Sequence, residues 1–436
     1  MNPKEKIAYN QNLPCGVCTS SYLSAFEFLD MTKIPGTKAA RIVKEFKNLS
    51  YNSTFTYPLV IKTGWGCRIE DVDGNKFLDF TSNIGSCPLG YSHPEILEII
   101  KDYSSTKNGV HKMAGQDFYC EEHIRIGKRL LSISKKNSKV FFINSGAEAV
   151  ENAIKLAYKK MGPLPGVSCM GDFHGRTLGA LSFTMSKKIQ KTNFPELPVK
   201  RIKFCTADSD PQINQLESLL REHKVAFILT ETIQGEGGLN VASKLFIQNI
   251  RKLADKFKVP LIFDEVQSGM GRTGKWWAYE HYGVEPDIMT VAKALQVGAT
   301  VYDKEYEPDE SGVLSSTWGG GDRIDMAVGT KMIEIIVKDG LLSNSQRIGN
   351  MLLKNFVDII GIKGLIDVRG IGLMIGLEFN TKTVRDYVVN RLFKKGLLVL
   401  PAGIKSIRIM PPLIINEEEA AKGVSLICDT ISRYHK

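Results

Sequence analysis

The 436-residue chain is long enough to bury a large core and to form two or three domains. Its 43% hydrophobic and 24% charged residues are ordinary for a globular enzyme, and its net charge of +10 suits either anionic substrates or a lysine-rich surface. It has no dense Lys/Arg block, no apolar run near the ~18 residues of a membrane helix and no signal-peptide pattern, so we expect a cytoplasmic protein without nucleic-acid or membrane partners.

Residues 1–57 show no strong periodicity and are predicted to form an N-terminal arm or an irregular helical lead-in. The arm contains the pair Cys15-x-x-Cys18. Cysteines scattered along so long a chain are typical of reduced thiols. A structural zinc would need a second pair at metal spacing, which the sequence lacks. We therefore expect this pair to be incidental and the chain to hold no metal.

Residues 58–120 are predicted to form the first part of a small domain. Pro58–Phe80 contains strand-like runs separated by an Asp-Gly pair, which favours a hairpin turn. The glycine-rich loop Ser82–Pro94 follows. Such a loop is either a plain connector or the lining of a substrate pocket, and Ile84 is the candidate substrate contact within it.

Residues 121–322 alternate helices with short apolar strands and are predicted to form one large domain. Val140–Ile143 is a predicted strand, and Ser145 begins a helix because a glutamate three residues later completes a capping box. Gly146 and Ala147 leave backbone N–H groups uncovered at the positive end of that helix, a good seat for a phosphate. Helix caps are common, so this signal is weak by itself.

Two further predicted strands also end in polar or glycine-rich loops. Val167–Met170 precedes a loop in which Phe173 can stack on a planar ring and Arg176 can pair bidentately with a carboxylate. Ala226–Leu229 precedes residues 230–238, which again place polar groups where a strand stops. This layout predicts one doubly wound, mainly parallel sheet with its site along one edge.

The strongest chemical signal comes from two neighbouring strand ends. The apolar run Leu261–Phe263 is followed by Asp264, and a second run, Ile288–Val291, ends just before Lys293. A pyridoxal phosphate enzyme needs such a lysine to carry the cofactor as a Schiff base, and an acid to keep the pyridine nitrogen protonated. For either residue alone an ordinary ion pair is the simpler interpretation, and only the neighbouring motifs favour the cofactor.

A partial nucleotide-binding motif overlaps this region. Gly269–Lys275 fits GxxxxGK, but Trp276 occupies the place where Ser or Thr ligates magnesium in a phosphate-binding loop. The acidic strand also precedes the glycine loop instead of following it. Nucleotide binding is therefore a minor alternative, and it predicts an ATP affinity that Lys275→Ala removes.

Residues 323–436 are predicted to form the C-terminal part of the small domain. They begin with a helical stretch and continue with a strand pair around glycines, Asp367–Phe379. Leu397–Leu413 adds further strands before a final helix. This mixture predicts a smaller α+β domain.

Together these motifs resemble the class III, or ω-, aminotransferases of pyridoxal phosphate fold type I, from about Pro58 to the end of the chain. The resemblance implies an α/β fold with a seven-stranded, mainly parallel sheet and a smaller α+β domain built from both chain ends. It also implies a homodimer that acts on an amino donor and on 2-oxoglutarate, with pyridoxal 5'-phosphate as its cofactor.

The resemblance also gives roles to the cofactor residues. The helix of NSGAEAVENA would hold the phosphate through Gly146 and Ala147, and Thr317 of STWGG would reach it across a dimer interface. FHGRT and FDEVQ would place Phe173 and Val266 on the two faces of the ring. The other roles implied are the pyridine nitrogen for Asp264, the phenolic oxygen for Gln267 and the covalent, catalytic amine for Lys293.

The implied substrate residues are Arg176, Glu236 and Arg408. Arg176 would grip the donor carboxylate, while Glu236 of QGEGG resembles the family's switching glutamate and neutralises Arg408. When 2-oxoglutarate binds, Glu236 would turn away and Arg408 would take the second carboxylate. Within the family the motifs resemble 4-aminobutyrate and L-lysine 6-aminotransferases most, so such an ω-amine is the predicted donor.

Several alternatives stay open at this point. Acetylornithine or ornithine could be the donor, because the shape of the side-chain pocket decides that choice. A racemase or epimerase would use the same Lys293 and Asp264, and a non-catalytic cofactor-binding protein is a further possibility. Two departures from the family pattern, Thr232 in place of Pro and Gln296-Val297 in place of a glycine run, also leave the donor open.

Overall fold

The structure is a computed structural model that describes residues 34–51, 57–105, 118–135, 138–209, 214–222 and 224–434. Cys15 and Cys18, with most of the predicted N-terminal arm, lie outside these ranges. No helix within the ranges is long and apolar enough to cross a membrane.

Strands and helices alternate along most of the described chain. The strands are β1 (Ile61–Trp65), β2 (Arg68–Asp71), β3 (Lys76–Asp79), β4 (Ser138–Ile143), β5 (Gly166–Cys169), β6 (Val199–Ile202), β7 (Phe227–Thr230), β8 (Ile233–Gln234), β9 (Asn240–Val241), β10 (Leu261–Asp264), β11 (Ile288–Val291), β12 (Gly298–Asp303), β13 (Leu365–Ile371), β14 (Met374–Phe379), β15 (Leu397–Leu398), β16 (Leu400–Ala402) and β17 (Ser406–Ile409). The helices are α1 (Thr37–Leu49), α2 (Ser82–Gly85), α3 (Pro94–Tyr103), α4 (Glu121–Ser132), α5 (Gly146–Met161), α6 (Leu178–Phe183), α7 (Gln215–Glu222), α8 (Lys244–Phe257), α9 (Arg323–Lys338), α10 (Leu341–Val357), α11 (Lys382–Lys394) and α12 (Glu417–Ser432).

A seven-stranded sheet organises the fold, in the spatial order β4-β12-β11-β10-β7-β5-β6. Neighbouring strands run parallel except at β12, which is antiparallel to both β4 and β11. This confirms the predicted fold class, an α/β fold with a mainly parallel sheet. Because β7, β10 and β11 are parallel, their carboxyl ends open on the same edge of the sheet.

The central strands are apolar along their length because both faces of the sheet are covered. Leu261 and Phe263 of β10 pack into one core cluster, whereas Ile262 packs into another that includes residues of α5 and α6. Successive side chains of a strand point to opposite faces, so this division shows that packed layers lie on each side. A buried strand of this kind holds the residues at its end in fixed positions.

Two smaller sheets accompany the large one. Strands β1, β2 and β3 form an antiparallel sheet, and β15 from the C-terminal part of the chain joins it parallel to β3. The second sheet is antiparallel and has the order β13-β14-β17-β16. Strand β15 comes from the C-terminal part of the chain, whereas β1, β2 and β3 come from the N-terminal part. The two ends of the chain thus contribute to one sheet, as the predicted fold class implies. The domain boundaries at residues 58, 121 and 323 remain predictions.

The loop predicted at Ser82–Pro94 begins with the short element α2, whose residues form a left-handed turn and not a regular helix. Ser82, Asn83 and Ile84 have φ values of +51°, +47° and +61°, a region that L-residues occupy rarely. Asp79 helps to hold the start of this turn, because its carboxylate accepts hydrogen bonds from the Thr81 backbone at 2.7 Å and hydroxyl at 2.6 Å. Ile84 is 45% exposed on this turn.

Candidate active site

A cavity of about 400 Å³ opens at the carboxyl edge of the large sheet. Most of the residues predicted for the site line it: Gly146, Ala147, Phe173, Glu236, Asp264, Val266, Gln267 and Lys293. Asp264 ends β10, and Lys293 follows β11, the parallel strand beside it. The topology therefore brings together residues that are far apart in the sequence.

The amino end of α5 forms one wall of this cavity. Ser145 caps the helix, since its hydroxyl accepts a hydrogen bond from the Glu148 amide at 3.2 Å. The amides of Gly146 and Ala147 precede the first intrahelical hydrogen bond, which runs from Ala149 to Ser145. Such amides, at the positive end of a helix dipole, suit a phosphate group.

Gly146 is needed at this wall for steric reasons. A Cβ atom added to Gly146 would lie 2.8 Å from Cγ1 of Val266, closer than real Cβ contacts. Val266 and Phe173 both line the cavity, and their apolar side chains can flank a planar ring. The donor amides and the two apolar side chains therefore fit a planar, phosphorylated cofactor.

Asp264 is buried, and both of its carboxylate oxygens have hydrogen-bonding partners. Its Oδ1 accepts hydrogen bonds from the Val266 amide at 3.0 Å and the Thr290 hydroxyl at 3.2 Å. Its Oδ2 lies 2.9 Å from Nδ1 of His174. These contacts fix the orientation of a carboxylate that is only 5% exposed.

His174 links Asp264 to a second buried carboxylate. Its Nε2 lies 3.5 Å from Oδ2 of Asp172. Burial disfavours the imidazolium, but the nearby carboxylates of Asp172 and Asp264 outweigh it and raise the pKa of His174 to about 10. The charged histidine stabilises both carboxylates. Sequence reasoning missed it, although it lies inside the FHGRT motif.

Glu231 is a further buried acid that the sequence analysis did not select. It accepts hydrogen bonds from the amides of Phe173 at 2.8 Å and Gly235 at 2.9 Å, and so fixes the loop that carries Phe173. Burial and repulsion by Asp172 and Asp264 raise the pKa of Glu231 to about 8. Its position directly after β7 was the available signal, because polar groups at that edge belong to the site.

Lys293 occupies a constrained backbone position. Its φ is +42°, and Gln296, where the family pattern has a glycine run, has a φ of +71°. Non-glycine residues in this region are strained, and such strain concentrates at functional sites. Burial and the positive charge of Arg408 lower the pKa of Lys293 to about 8, against the opposing effects of Asp264 and Glu231.

Three charged side chains, Glu236, Arg408 and Lys187, lie together at the edge of the cavity. Oε2 of Glu236 is 3.6 Å from Nη2 of Arg408, and its Oε1 is 2.6 Å from Nζ of Lys187. Arg408 is 5% exposed and donates from Nη1 to Oε1 of Gln267 at 3.0 Å. The structure thus places the predicted switch residues, Glu236 and Arg408, beside each other and adds Lys187, which no sequence motif indicates.

Four predicted site residues lie outside the lining of the cavity: Arg408, described above, and Arg176, Thr317 and Ile84. Arg176 is exposed, with its guanidinium 5.5 Å from the centre of the Phe173 ring. Thr317 is exposed; its hydroxyl donates to Glu148, and its carbonyl accepts a hydrogen bond from Asn144 at 2.6 Å. Ile84 lies on the left-handed turn described above. Their roles toward substrate and cofactor stay predictions.

A family model for class III aminotransferases matches residues 50–431. The chain belongs to this family. As a class III aminotransferase it is an enzyme that uses pyridoxal phosphate, which confirms the predicted family and cofactor. The cavity agrees with that cofactor in its donor amides, its flanking apolar side chains, its buried acid and its lysine.

Curated relatives of this aminotransferase include two acetylornithine aminotransferases. The chain is 34% identical to that of Archaeoglobus fulgidus over 375 residues, which are 85% of this chain and 94% of the relative. It is 39% identical to that of Prochlorococcus marinus over 378 residues, 83% and 88% of the two chains. Among solved structures, lysine aminotransferase from M. tuberculosis is 26% identical and superimposes with a TM-score of 0.82, over 90% of this chain and 98% of that one.

Proposed function

We propose that this aminotransferase moves the ω-amino group of N-acetylornithine, or of a donor close to it, to 2-oxoglutarate. The products are a semialdehyde and glutamate. The names of the curated relatives support this donor and favour the acetylornithine alternative over 4-aminobutyrate or lysine. The reaction type follows from the family, whereas the donor is the proposed part.

Charge at the substrate end of the cavity supports an acetylated donor. Lys187 and Arg408 share one carboxylate, that of Glu236. The free α-ammonium of lysine or ornithine would be repelled by these cations, whereas an acetylated α-nitrogen is uncharged. Arg176, near the ring of Phe173, is available for the donor carboxylate, which its planar fork can bind bidentately.

One observation carries the proposed reaction: the Lys293 amine lies in the same cavity as the held carboxylate of Asp264. When bound, pyridoxal phosphate supplies the electron sink that stabilises negative charge on the substrate carbon. Asp264, oriented by His174, would keep the pyridine nitrogen protonated. The Lys293 amine, whose pKa burial and Arg408 lower to about 8, would take a proton from the substrate carbon and deliver it to the aldehyde-derived carbon of the cofactor.

Glu236 and Arg408 would let one cavity serve both substrates. With a donor that brings one carboxylate, Glu236 neutralises Arg408. With 2-oxoglutarate, the second carboxylate takes the place of Glu236 at Arg408. A buried arginine without a counter-charge would be costly, so the exchange keeps it paired in both half-reactions.

We also propose that the enzyme is a homodimer in which Thr317 contributes to the neighbouring site. Thr317 and Trp318 lie together on the surface, and Trp318 is 62% exposed. The exposed Trp318 would offer apolar surface for a second subunit to cover.

The test is formation of glutamate from 2-oxoglutarate with N-acetylornithine, ornithine, lysine and 4-aminobutyrate in turn. We expect the highest kcat/KM with N-acetylornithine, and no product from Lys293→Ala with any donor. A preference for lysine or 4-aminobutyrate would contradict the proposed donor. Inversion of an amino acid without any glutamate would instead identify a racemase.

A further inference from the structure

Glu236 has two cationic partners, and the shorter contact is not with Arg408. Its Oε1 accepts from Nζ of Lys187 at 2.6 Å, a charge-assisted hydrogen bond, whereas Oε2 lies 3.6 Å from Arg408. The Glu236 backbone is anchored separately, because its carbonyl accepts from the Gly403 amide at 2.7 Å. Only the side chain is therefore free to move between the two cations.

Arg408 retains unused hydrogen-bonding capacity in this arrangement. Nη1 donates to Gln267 at 3.0 Å, but Nε is buried and has no hydrogen-bond partner among the described residues. A buried donor without a partner is unfavourable and favours an incoming acceptor. The Arg408 guanidinium is thus only partly neutralised while Glu236 remains paired with Lys187.

We propose that Lys187 is a positioning residue that holds the Glu236 carboxylate away from Arg408. By leaving Arg408 partly unpaired, Lys187 sets the preference for dicarboxylic substrates. The inference rests on the proposed function, in which Arg408 receives the second carboxylate of 2-oxoglutarate. When that carboxylate pairs with Arg408, Glu236 loses one cation and keeps the other. Without Lys187, Glu236 would pair with Arg408 alone and would have to be displaced into an unpaired state.

The size of the effect follows from the exposure of the pair. The side chains of Lys187 and Glu236 are 35% and 20% exposed, so solvent screens their attraction in part. A partly exposed ion pair contributes at most about 1 kcal/mol, which corresponds to about a fivefold change in a binding constant. We therefore expect dicarboxylate affinity to fall about fivefold when Lys187 is removed.

The first experiment measures binding of glutarate and butyrate to the holoenzyme by calorimetric titration. Glutarate has two carboxylates and butyrate has one, and neither can accept an amino group. Lys187→Met should raise the Kd for glutarate about fivefold and leave that for butyrate unchanged. The matched control is Lys188→Met, an exposed neighbour, which should change neither value. Equal glutarate binding by Lys187→Met and the wild-type enzyme would overturn the proposal.

A double-mutant cycle separates action through Glu236 from direct contact with the ligand. Glu236→Gln removes the competing carboxylate and should strengthen glutarate binding. In that background Lys187→Met should have no further effect, because its partner is gone. If Lys187→Met weakens glutarate binding as much in the Glu236→Gln variant as in the wild-type enzyme, Lys187 binds the ligand itself and the proposal fails.

The binding readout keeps this inference distinct from the proposed function. A wild-type enzyme that forms no glutamate, but shows the Lys187 effect on glutarate, would contradict the function and support the positioning role. Conversely, glutamate formation with no Lys187 effect on glutarate would support the function and overturn the positioning role.

Discussion

At the scale of single residues, the protonation state of the Lys293 amine controls whether the enzyme can bind its cofactor covalently. Burial lowers its pKa because the ammonium loses hydration, and the positive charge of Arg408 lowers it further. Asp264 and Glu231 act in the opposite direction. The neutral amine is the form that reacts with an aldehyde, so these charges set the pH range in which the enzyme can bind its cofactor covalently.

We predict that Arg408→Met moves this range to higher pH. Removing the guanidinium raises the pKa of Lys293, so a smaller fraction of the amine is neutral at pH 7 to 8. The rate at which apoenzyme reacts with pyridoxal phosphate should level off near pH 8 in the wild-type chain. In the variant it should level off roughly one pH unit higher, a moderate shift for the loss of one nearby charge. Visible absorbance after rapid mixing measures the rate.

The control for this prediction is Lys275→Met, which removes the lysine of the partial GxxxxGK motif. Lys275 lies outside the lining of the cavity, and its Nζ donates to the carbonyl of Glu280 at 2.9 Å. The pH–rate profile of Lys275→Met should match that of the wild-type enzyme. Titration of the free cofactor affects all three proteins equally, so it cannot cause a difference between their profiles. Superimposable profiles for Arg408→Met and wild type would show that Arg408 does not set the charge of the lysine.

At the scale of elements, the amino end of α5 both begins a helix and forms a wall of the site. The Ser145 hydroxyl caps the helix by accepting from the Glu148 amide at 3.2 Å, and it donates to the Glu148 carboxylate at 3.0 Å. The same turn presents the amides of Gly146 and Ala147 to the cavity. Loss of the cap should therefore affect both helix stability and cofactor affinity.

We predict that Ser145→Ala lowers the free energy of unfolding of the apoenzyme by about 1 kcal/mol, the usual contribution of such a cap. The Kd for pyridoxal phosphate should rise about threefold, because a frayed first turn orders the phosphate-binding amides less well. Urea midpoints measure the first effect and spectroscopic titration measures the second.

Helix α8 offers a matched control for this cap. Ser243 caps α8 by accepting from the Phe246 amide at 3.1 Å, and it does not line the cavity. Ser243→Ala should destabilise the protein by a similar amount and leave cofactor affinity unchanged. If both variants weaken cofactor binding equally, the effect reflects general destabilisation and not the position of α5.

At the scale of the whole molecule, the proposed dimer makes each site depend on both subunits. Within one chain Thr317 contacts Asn144 and Glu148, just before and within the first turn of α5. If it serves the neighbouring phosphate site, each subunit supplies Lys293 to one site and Thr317 to the other.

Subunit mixing should reveal this division. Lys293→Ala is expected to be inactive, and Thr317→Ala inactive when the cofactor is limiting. A heterodimer of the two would have one site with both substitutions and one with neither. We predict that co-folding them restores up to about half of the wild-type activity per heterodimer, through its one intact site. If Thr317 serves its own subunit, mixing restores nothing, and a monomer on gel filtration would contradict the dimer itself.

The sequence by itself determined the fold class and most of the cavity. Apolar runs ending in Asp264 and Lys293 are local patterns, and a parallel sheet must bring such strand ends to one edge. The helix at Ser145 was likewise predictable, because a capping box acts over a few residues. The observed helix α5 begins one residue after the predicted start, at Gly146.

Only the tertiary structure decided which charges share the site. His174 lies between Asp172 and Asp264, and Lys187 reaches Glu236 from a loop 49 residues earlier in the chain. These contacts depend on how loops from different strands pack, and no periodicity or motif spacing encodes that packing. Local order follows from short-range patterns, whereas the pairing of charges across the cavity follows from distances that exist only in the folded chain.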